Sequence, residues 1–336
     1  MRIILTGFGT VGGAFVKILC EKETELLKFY GLRPSVIAVI NSKGAIINPS
    51  GLNLEELKKT KESSNLNTLS NFKVGVSGVE VIENLDAEVV VDTTPTNIIN
   101  GQPGLSHIMT ALKKKQHVIT TSKGPLALAL PALMELAAYN KVFLRFSGTV
   151  GGGTPILDLG KKCLVGDKIL SVRGILNGTT NYILTQMDES AVTMDDALQD
   201  AQMKGYAEKD PSYDIEGIDS ACKLVIISNW LLSKNVTIKD IKIEGITKIT
   251  PEDVKEAKDK NHTIKLIASA DEKDLTVKPT LIPRNHPLFV GGVLNAVTFK
   301  TEYAGEVTIT GRGAGGIETE GAILRDLIDI RRGITL

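Results

Sequence analysis

Cysteine is scarce in this chain of 336 residues: Cys20, Cys163 and Cys222 are odd in number, far apart and form no paired motif. They give no basis for a disulfide-stapled extracellular domain and read as reduced thiols of a cytoplasmic protein. No uninterrupted apolar stretch approaches the roughly 18–20 residues that span a bilayer, so a membrane-spanning helix is not expected. The first residues carry no separate positive segment, apolar core and cleavage site, so no signal peptide is expected. Charge of one sign is also missing, because Lys plus Arg and Asp plus Glu number 39 each. That balance leaves no basic excess to hold nucleic acid or an anionic membrane. The mixed charges from Glu55 to Glu62 read as a solvated helix face. The four histidines (His107, His117, His262 and His286) are scattered without ligand spacing, which leaves each a structural role. Internal repeats and low-complexity linkers are absent.

What is present is the composition of a folded globular protein, 42% apolar and 23% charged, and a length that suits two domains. Up to about residue 147, short runs rich in Val and Ile (3–6, 36–40, 88–92, 117–121 and 142–146) alternate with helical stretches at 11–29, 103–115 and 126–140. Such alternation predicts a Rossmann-type parallel sheet with helices on both faces. The stretch 48–68 is expected to hold one amphipathic helix. After the glycine cluster at 148–155 the pattern changes, with helices expected at 155–163, 180–188, 194–203 and 215–233 and strands at 169–176, 263–270, 274–282 and 306–310. Helices set against a mixed sheet predict an α+β second domain. The expected division is 1–147 and 148–316, with a last helix in 317–336 returning to the first domain.

Gly7-Phe8-Gly9-Thr10-Val11-Gly12 is a G-x-G-x-x-G set that directly follows a strand and opens a helix. In that context the first glycine permits the turn, the second lets a pyrophosphate approach the backbone, and the third lets helix and strand pack closely. An acid ending the second strand would accept from a ribose 2′-hydroxyl and repel a 2′-phosphate. Here Asn41, Ser42 and Lys43 follow instead, which favours NADP over NAD without excluding dual use.

Three segments of the second domain carry chemistry: Asn177-Gly178-Thr179-Thr180-Asn181-Tyr182-Ile183-Leu184, the stretch Gly205-Tyr206-Ala207-Glu208 through Asp210-Pro211, and Asp214-Ile215-Glu216-Gly217-Ile218-Asp219 with Lys223. Asp219 and Lys223 lie four apart on an expected helix and share a face. Alone, such a pair is usually a surface ion pair of little worth. Glu208, Asp210, Asp214 and Glu216 just upstream turn the stretch into a concentration of carboxylates suited to an ammonium group beside a lysine.

In order and spacing, together with the nucleotide loop, these segments resemble the homoserine dehydrogenase family over essentially the whole chain. The resemblance implies reversible, NAD(P)-dependent interconversion of L-homoserine and L-aspartate 4-semialdehyde, the branch step toward threonine, methionine and isoleucine. It implies that Glu208 and Asp219 hold the substrate's amino group, that Asp214 supports them, and that Thr179 and Tyr206 belong to the substrate site. Lys223 and Lys123 are implied to flank the reacting oxygen, with Lys223 favoured for the proton step. Thr93, Thr94 and Ser122 are expected along the cofactor, and Gly313 and Glu318 in a closing glycine loop that returns to it. Backbone carbonyls of Val150 and Gly152 are candidates for sodium, although Ser147 stands where the family has a glutamate. Strands over 263–282 resemble the family's subunit interface and imply a homodimer. Because the chain stops at Leu336, feedback through a C-terminal regulatory domain is not expected.

The sequence leaves two rivals. An aspartate-semialdehyde or aspartate dehydrogenase would share the nucleotide domain, but acyl-phosphate formation needs a cysteine nucleophile with a histidine base, and Cys222 reads as a packed thiol. A catalytically silent NADP-binding sensor would keep the glycine loop without needing Glu208, Asp219 and Lys223 together.

Overall fold

A computed structural model describes residues 1–62, 66–69, 71–313 and 316–335. The chain divides into two compact units, Met1–Thr149 with Gly316–Leu336, and Val150–Gly315. Among the described residues no helix is long and apolar enough to cross a membrane.

The first unit runs β1 (Arg2–Thr6), α1 (Thr10–Glu21), α2 (Glu23–Tyr30), β2 (Ser35–Asn41), β3 (Gly44–Ile47), α3 (Leu54–Glu62), β4 (Phe72–Val74), α4 (Gly78–Asn84), β5 (Val89–Asp92), α5 (Gly104–Lys113), β6 (His117–Thr120), α6 (Lys123–Asn140) and β7 (Leu144–Arg145). The strands form one sheet in the order β4-β3-β2-β1-β5-β6-β7. From β2 to β7 every pairing is parallel, and both faces are buried, so these strands are continuous apolar runs rather than alternating ones. This is the expected Rossmann-type sheet, with one correction: β3 and β4 add an antiparallel edge. Asn41 causes the reversal, since its Oδ1 accepts from the N–H groups of Lys43 and Gly44 and closes a hairpin turn.

Two helices also differ from expectation. The stretch 11–29 breaks at Lys22, where φ −108° and ψ 11° leave the helical region, so α1 and α2 are separate. Helix α6 is interrupted at Ala129 (φ −146°, ψ 20°), two residues before Pro131, which has no N–H to continue the ladder. The stretch 48–68 holds α3 and a short turn of 3₁₀ helix at Leu66–Thr68.

The second unit runs α7 (Ile156–Asp158, widening into a π turn at Leu159–Cys163), β8 (Ile169–Ile175), α8 (Gly178–Ser190), α9 (Met194–Met203), α10 (Ser212–Ile215), α11 (Ile218–Leu231), β9 (Lys242–Ile243), α12 (Pro251–Asp259), β10 (His262–Ala270), β11 (Leu275–Pro283), β12 (Leu294–Thr301) and β13 (Glu306–Arg312). Its sheet has the order β13-β12-β8-β10-β11-β9 and is antiparallel except for the β11–β9 pair. Helices α8, α11 and α12 pack on β10. The middle of α11 is buried on every side, from Ser220 through Ser228, so a charged group on it is surrounded by protein.

The last helix, α13 (Gly316–Thr335), belongs to the first unit and packs on α1. Ile323, Leu327 and Ile330 recur at helical spacing and are all fully buried in the core shared with Phe15, Val16 and Leu19. Each such side chain contributes roughly 1.5–3 kcal/mol through removal from water. Of the expected closing glycine loop, Ala314 and Gly315 lie outside the described residues.

Candidate functional site

In the first unit the glycine loop sits at the carboxyl edge of the parallel strands. Gly7 has φ +88°, and a Cβ there would lie 2.7 Å from the carbonyl of Thr93. A Cβ on Gly12 would meet the Gly7 carbonyl oxygen at 2.2 Å and Thr93 Oγ1 at 2.8 Å. Nothing lies within 4 Å of a Cβ position on Gly9, which is exposed with Thr10 at the start of α1. The loop is therefore closed tightly on the protein side at Gly7 and Gly12 and open at Gly9, a cradle whose backbone N–H groups suit a pyrophosphate. Phe8 and Val11 are half-buried against the core.

A buried carboxylate holds that edge together. Asp92 Oδ1 accepts from Thr6 Oγ1 (2.8 Å) and Thr94 Oγ1 (2.9 Å), Oδ2 accepts from Thr120 Oγ1 (3.0 Å), and His107 Nδ1 lies 3.4 Å away. The ends of β1, β5 and β6 are thereby pinned in one cluster. Thr93 Oγ1 donates to the Gly7 carbonyl at 2.8 Å, which ties β5 to the loop. Ser122 is buried behind it, its N–H on Thr120 Oγ1, and Lys123 begins α6 half-buried, its N–H directed to Thr96 Oγ1. Asn41 is committed to its hairpin turn and donates to Asn67 Oδ1, while Ser42 and Lys43 are exposed. Glu318 is half-buried in the first turn of α13.

In the second unit, the expected pair on α11 is deeply buried and not a surface contact. Lys223 Nζ lies 2.7 Å from Asp219 Oδ2, with residue exposures of 6% and 4%. The ammonium also donates to the Leu176 carbonyl at 2.6 Å. Asp219 stands in the first turn of α11, where the helix dipole favours a carboxylate. Asn177, between β8 and α8, donates through Nδ2 to Asp214 Oδ1 (2.7 Å) and Asp219 Oδ2 (3.0 Å). Burial and then the neighbouring Asp219 push the Asp214 carboxyl above its usual range. Thr179 Oγ1 donates to the Tyr206 carbonyl at 2.7 Å, which fixes the loop after α9.

The other acids of that stretch separate. Glu208, Asp210 and Glu216 are exposed; Asp210 accepts from the Ser212 N–H and hydroxyl, and these bonds hold its carboxyl below the usual range. No hydrogen bond or ion pair among the described residues joins Glu208 to the Asp214–Asp219–Lys223 group. Cys222 is fully buried with its Sγ 3.2 Å from the Tyr213 hydroxyl, in keeping with a packed thiol.

Near the glycine cluster, Gly151 and Gly152 have φ +80° and +53°, and the Gly151 carbonyl accepts from the Thr154 N–H. Ser147 donates through its N–H and Oγ to Asp326 of α13. Among the described residues no cluster of three His, Cys, Asp or Glu side chains is suited to a metal ion.

The sequence places Asn177 in a chemistry-bearing segment without giving it a role, and it does not reveal the Asp92 cluster. Asn immediately before a helix is a capping signal, and here its Oδ1 does accept from the Thr180 N–H. Its second function, on two acids 37 and 42 positions away, has no local signature.

A glycine-lined sheet edge in one unit and a buried ammonium–carboxylate group in the other define a Rossmann-type, nicotinamide-dinucleotide-dependent oxidoreductase. The model of the homoserine dehydrogenase NAD-binding domain matches residues 7–147, and that of the homoserine dehydrogenase domain matches 155–328. A homoserine dehydrogenase of Methanocaldococcus jannaschii is 45% identical over 98% of each chain. An NAD(+)-dependent homoserine dehydrogenase of Pseudomonas canavaninivorans is 35% identical over 99% of this chain and 97% of its own. The structure of a hyperthermophilic archaeal homoserine dehydrogenase in complex with NADPH superposes with TM-score 0.87 at 30% identity, covering 99% of this chain and 98% of that one. The chain belongs to the homoserine dehydrogenase family.

Proposed function

We propose that this chain interconverts L-homoserine and L-aspartate 4-semialdehyde, with NADP(H) the preferred dinucleotide. The observation that carries the reading is the anchoring of Lys223. Two of its three ammonium protons go to Asp219 and the Leu176 carbonyl, which leaves the third for a substrate oxygen. In the reductive direction Lys223 gives that proton to the oxygen as negative charge develops there; in the oxidative direction it takes the proton back. Asp214, Asp219 and the exposed Glu208 supply carboxylates for the substrate's ammonium, with Thr179 and Tyr206 shaping the loop beside them. Lys123, at the carboxyl edge of the first unit's sheet, is the second cationic candidate. When bound, the dinucleotide supplies a hydride acceptor or donor. Gly7 through Gly12 would hold its phosphates, Thr93, Thr94 and Ser122 would line it, and Gly313 and Glu318 belong to the same proposed set.

The preference for NADP rests on Asn41, Ser42 and Lys43. Asn41 brings no carboxylate against a 2′-phosphate, and its amide is held in the turn that presents the exposed Lys43. The relatives divide, one being named NAD(+)-dependent and another solved with NADPH. Sodium at the carbonyls of Val150 and Gly152 would lack the family's carboxylate, since Ser147 is committed to Asp326. A homodimer fits the same reading. Strand β10 is enclosed between β8 and β11, so the second copy would meet a face of the sheet, where Leu281 is 52% exposed.

The test is reduced-cofactor absorbance with L-homoserine and either NADP or NAD. Lys223→Ala is expected to lose at least about 100-fold in turnover while still binding nucleotide. Unchanged turnover in that variant would remove Lys223 from the chemistry.

A further inference from the structure

Asn177 is 5% exposed and makes hydrogen bonds through both ends of its amide. Its Oδ1 accepts from the Thr180 N–H (2.8 Å) and hydroxyl (3.0 Å), capping α8. That contact fixes which way the amide faces. The NH₂ group is turned to the acids and donates one proton to Asp214 Oδ1 and the other to Asp219 Oδ2. A reversed amide would set an oxygen against two carboxylates and an NH₂ against a helix N-terminus, so the chemistry permits one orientation. The preceding residue, Leu176, gives its carbonyl to Lys223. Two consecutive residues just after β8 therefore touch Asp214, Asp219 and Lys223.

We propose that Asn177 is a positioning residue for the proton step: it holds Asp214 and Asp219 side by side in ionised form and so keeps the Lys223 ammonium in place. Two like charges sharing one buried corner repel, and each raises the other's affinity for a proton. Donors aimed at both oxygens oppose that tendency. If either carboxylate became protonated, the substrate's ammonium and Lys223 would lose a counter-charge together. The inference rests on the homoserine reading and assigns to that site a residue whose cap and clamp are separable.

Serine separates them. Asn177→Ser and Asn177→Thr each keep an oxygen able to cap α8 but have no NH₂ to bridge the acids. Both variants are expected to keep the wild-type NADPH affinity and, at acid pH, the wild-type unfolding midpoint, with about 1.4 kcal/mol of stability lost at neutral pH where the acids are ionised. The acid limb of kcat/KM for homoserine oxidation should move upward by about one pH unit, the equivalent of one hydrogen bond to a charged acceptor. Below the limb that shift appears as roughly a tenfold loss in kcat/KM, shrinking to nothing as pH rises past it. A merely structural role would lower the midpoint by the same amount at every pH, or scale activity equally at every pH. A folded serine or threonine variant with the wild-type pH profile overturns the proposal. Should neither hydroxyl variant fold, the double change Asn177→Ser with Asp214→Asn decides: relieved of one charge, it folds if Asn177 offsets the repulsion, and stays unfolded if the cap alone matters. Wild-type protein inert toward homoserine overturns both this inference and the functional reading, a result distinct from an active enzyme with unmoved variants.

Discussion

Lys265, on β10, is 2% exposed, and the proton it carries should be visible in the stability of the second unit. Its Nζ donates to Asn181 Oδ1 (2.8 Å) and Thr185 Oγ1 (3.0 Å), two acceptors that even a neutral amine would satisfy. Burial pushes the group down from its ordinary 10.5 to about 8, with Asp188 and Glu189 opposing the shift and Arg284 adding to it. For a base whose folded pKa is depressed, the unfolded chain holds the proton more tightly, so the charged form destabilises the fold. That destabilisation is fully present below pH 8 and is relieved as pH rises toward 10.5. The drop from 10.5 to about 8 corresponds to roughly 3 kcal/mol. Trp230 is the chain's single tryptophan and lies on α11, so its fluorescence reads the unit that holds Lys265. Urea unfolding of the wild type and Lys265→Met at pH 7 and pH 10 makes the test. Methionine strands Asn181 and Thr185 without their donor, a constant penalty of about 1–3 kcal/mol that does not vary with pH. The tyrosines raised by burial, Tyr182 and Tyr213, are common to both proteins and cancel in the difference. The wild type should gain roughly 2–3 kcal/mol on the variant over this interval, about 1 M in urea midpoint. Parallel stability curves for the two proteins would refute the reasoning.

The glycine loop gives a paired prediction. Gly9→Ala meets open space, so it should weaken NADPH binding by about tenfold through steric block of the phosphates, with the thermal midpoint unchanged. Gly12→Ala, with its Cβ 2.2 Å from the Gly7 carbonyl, should lower both affinity and midpoint; equal effects from the two changes would contradict the geometry. Lys43→Ala should raise KM for NADP by about tenfold, the worth of one exposed charge on a phosphate, and leave KM for NAD alone. An equal rise with both cofactors would remove Lys43 from 2′-phosphate recognition.

Local grammar made the strand–glycine loop–helix opening legible, because every residue that shapes it lies within a dozen positions. Helix α9 was legible for the same reason, and α12 should have been: Thr250-Pro251-Glu252-Asp253 is a complete capping box, with Thr250 and Asp253 bonding reciprocally. Strand β12 is legible only in Val297, Thr298 and Phe299, which favour a strand, and β3 and β4 are too short to show a period. Nothing in the pattern divides the stretch 11–29, because Lys22 carries no breaker signal. Buried polar contacts were beyond reach for a different reason. Lys265 sits in a strand whose alternation suggests an outward polar residue, and its partner Asn181 is 84 positions away. Ser147 meets Asp326 across 179 positions. Pattern reports which residues avoid water; it does not report which charges find each other.

The two units bury charge in different ways, and the difference separates architecture from chemistry. Asp92 is surrounded by the hydroxyls of Thr6, Thr94 and Thr120, neutral donors that spend their protons on one carboxylate. Such a cage stabilises the anion without leaving a donor for anything else, and its product is a fixed sheet edge beneath the glycine loop. Asp219 instead faces an ammonium, which brings three protons where a buried carboxylate oxygen and one carbonyl use two. A buried ion pair of this kind is a poor stabiliser, because desolvation offsets most of the attraction. In the proposed reaction the remaining proton would serve the developing oxyanion, in a low-dielectric setting where that interaction is strong. Asn177 fits the same proposal from the other side: it supplies neutral donors to both acids, so the ammonium stays committed to one of them and its last proton would be left for the substrate.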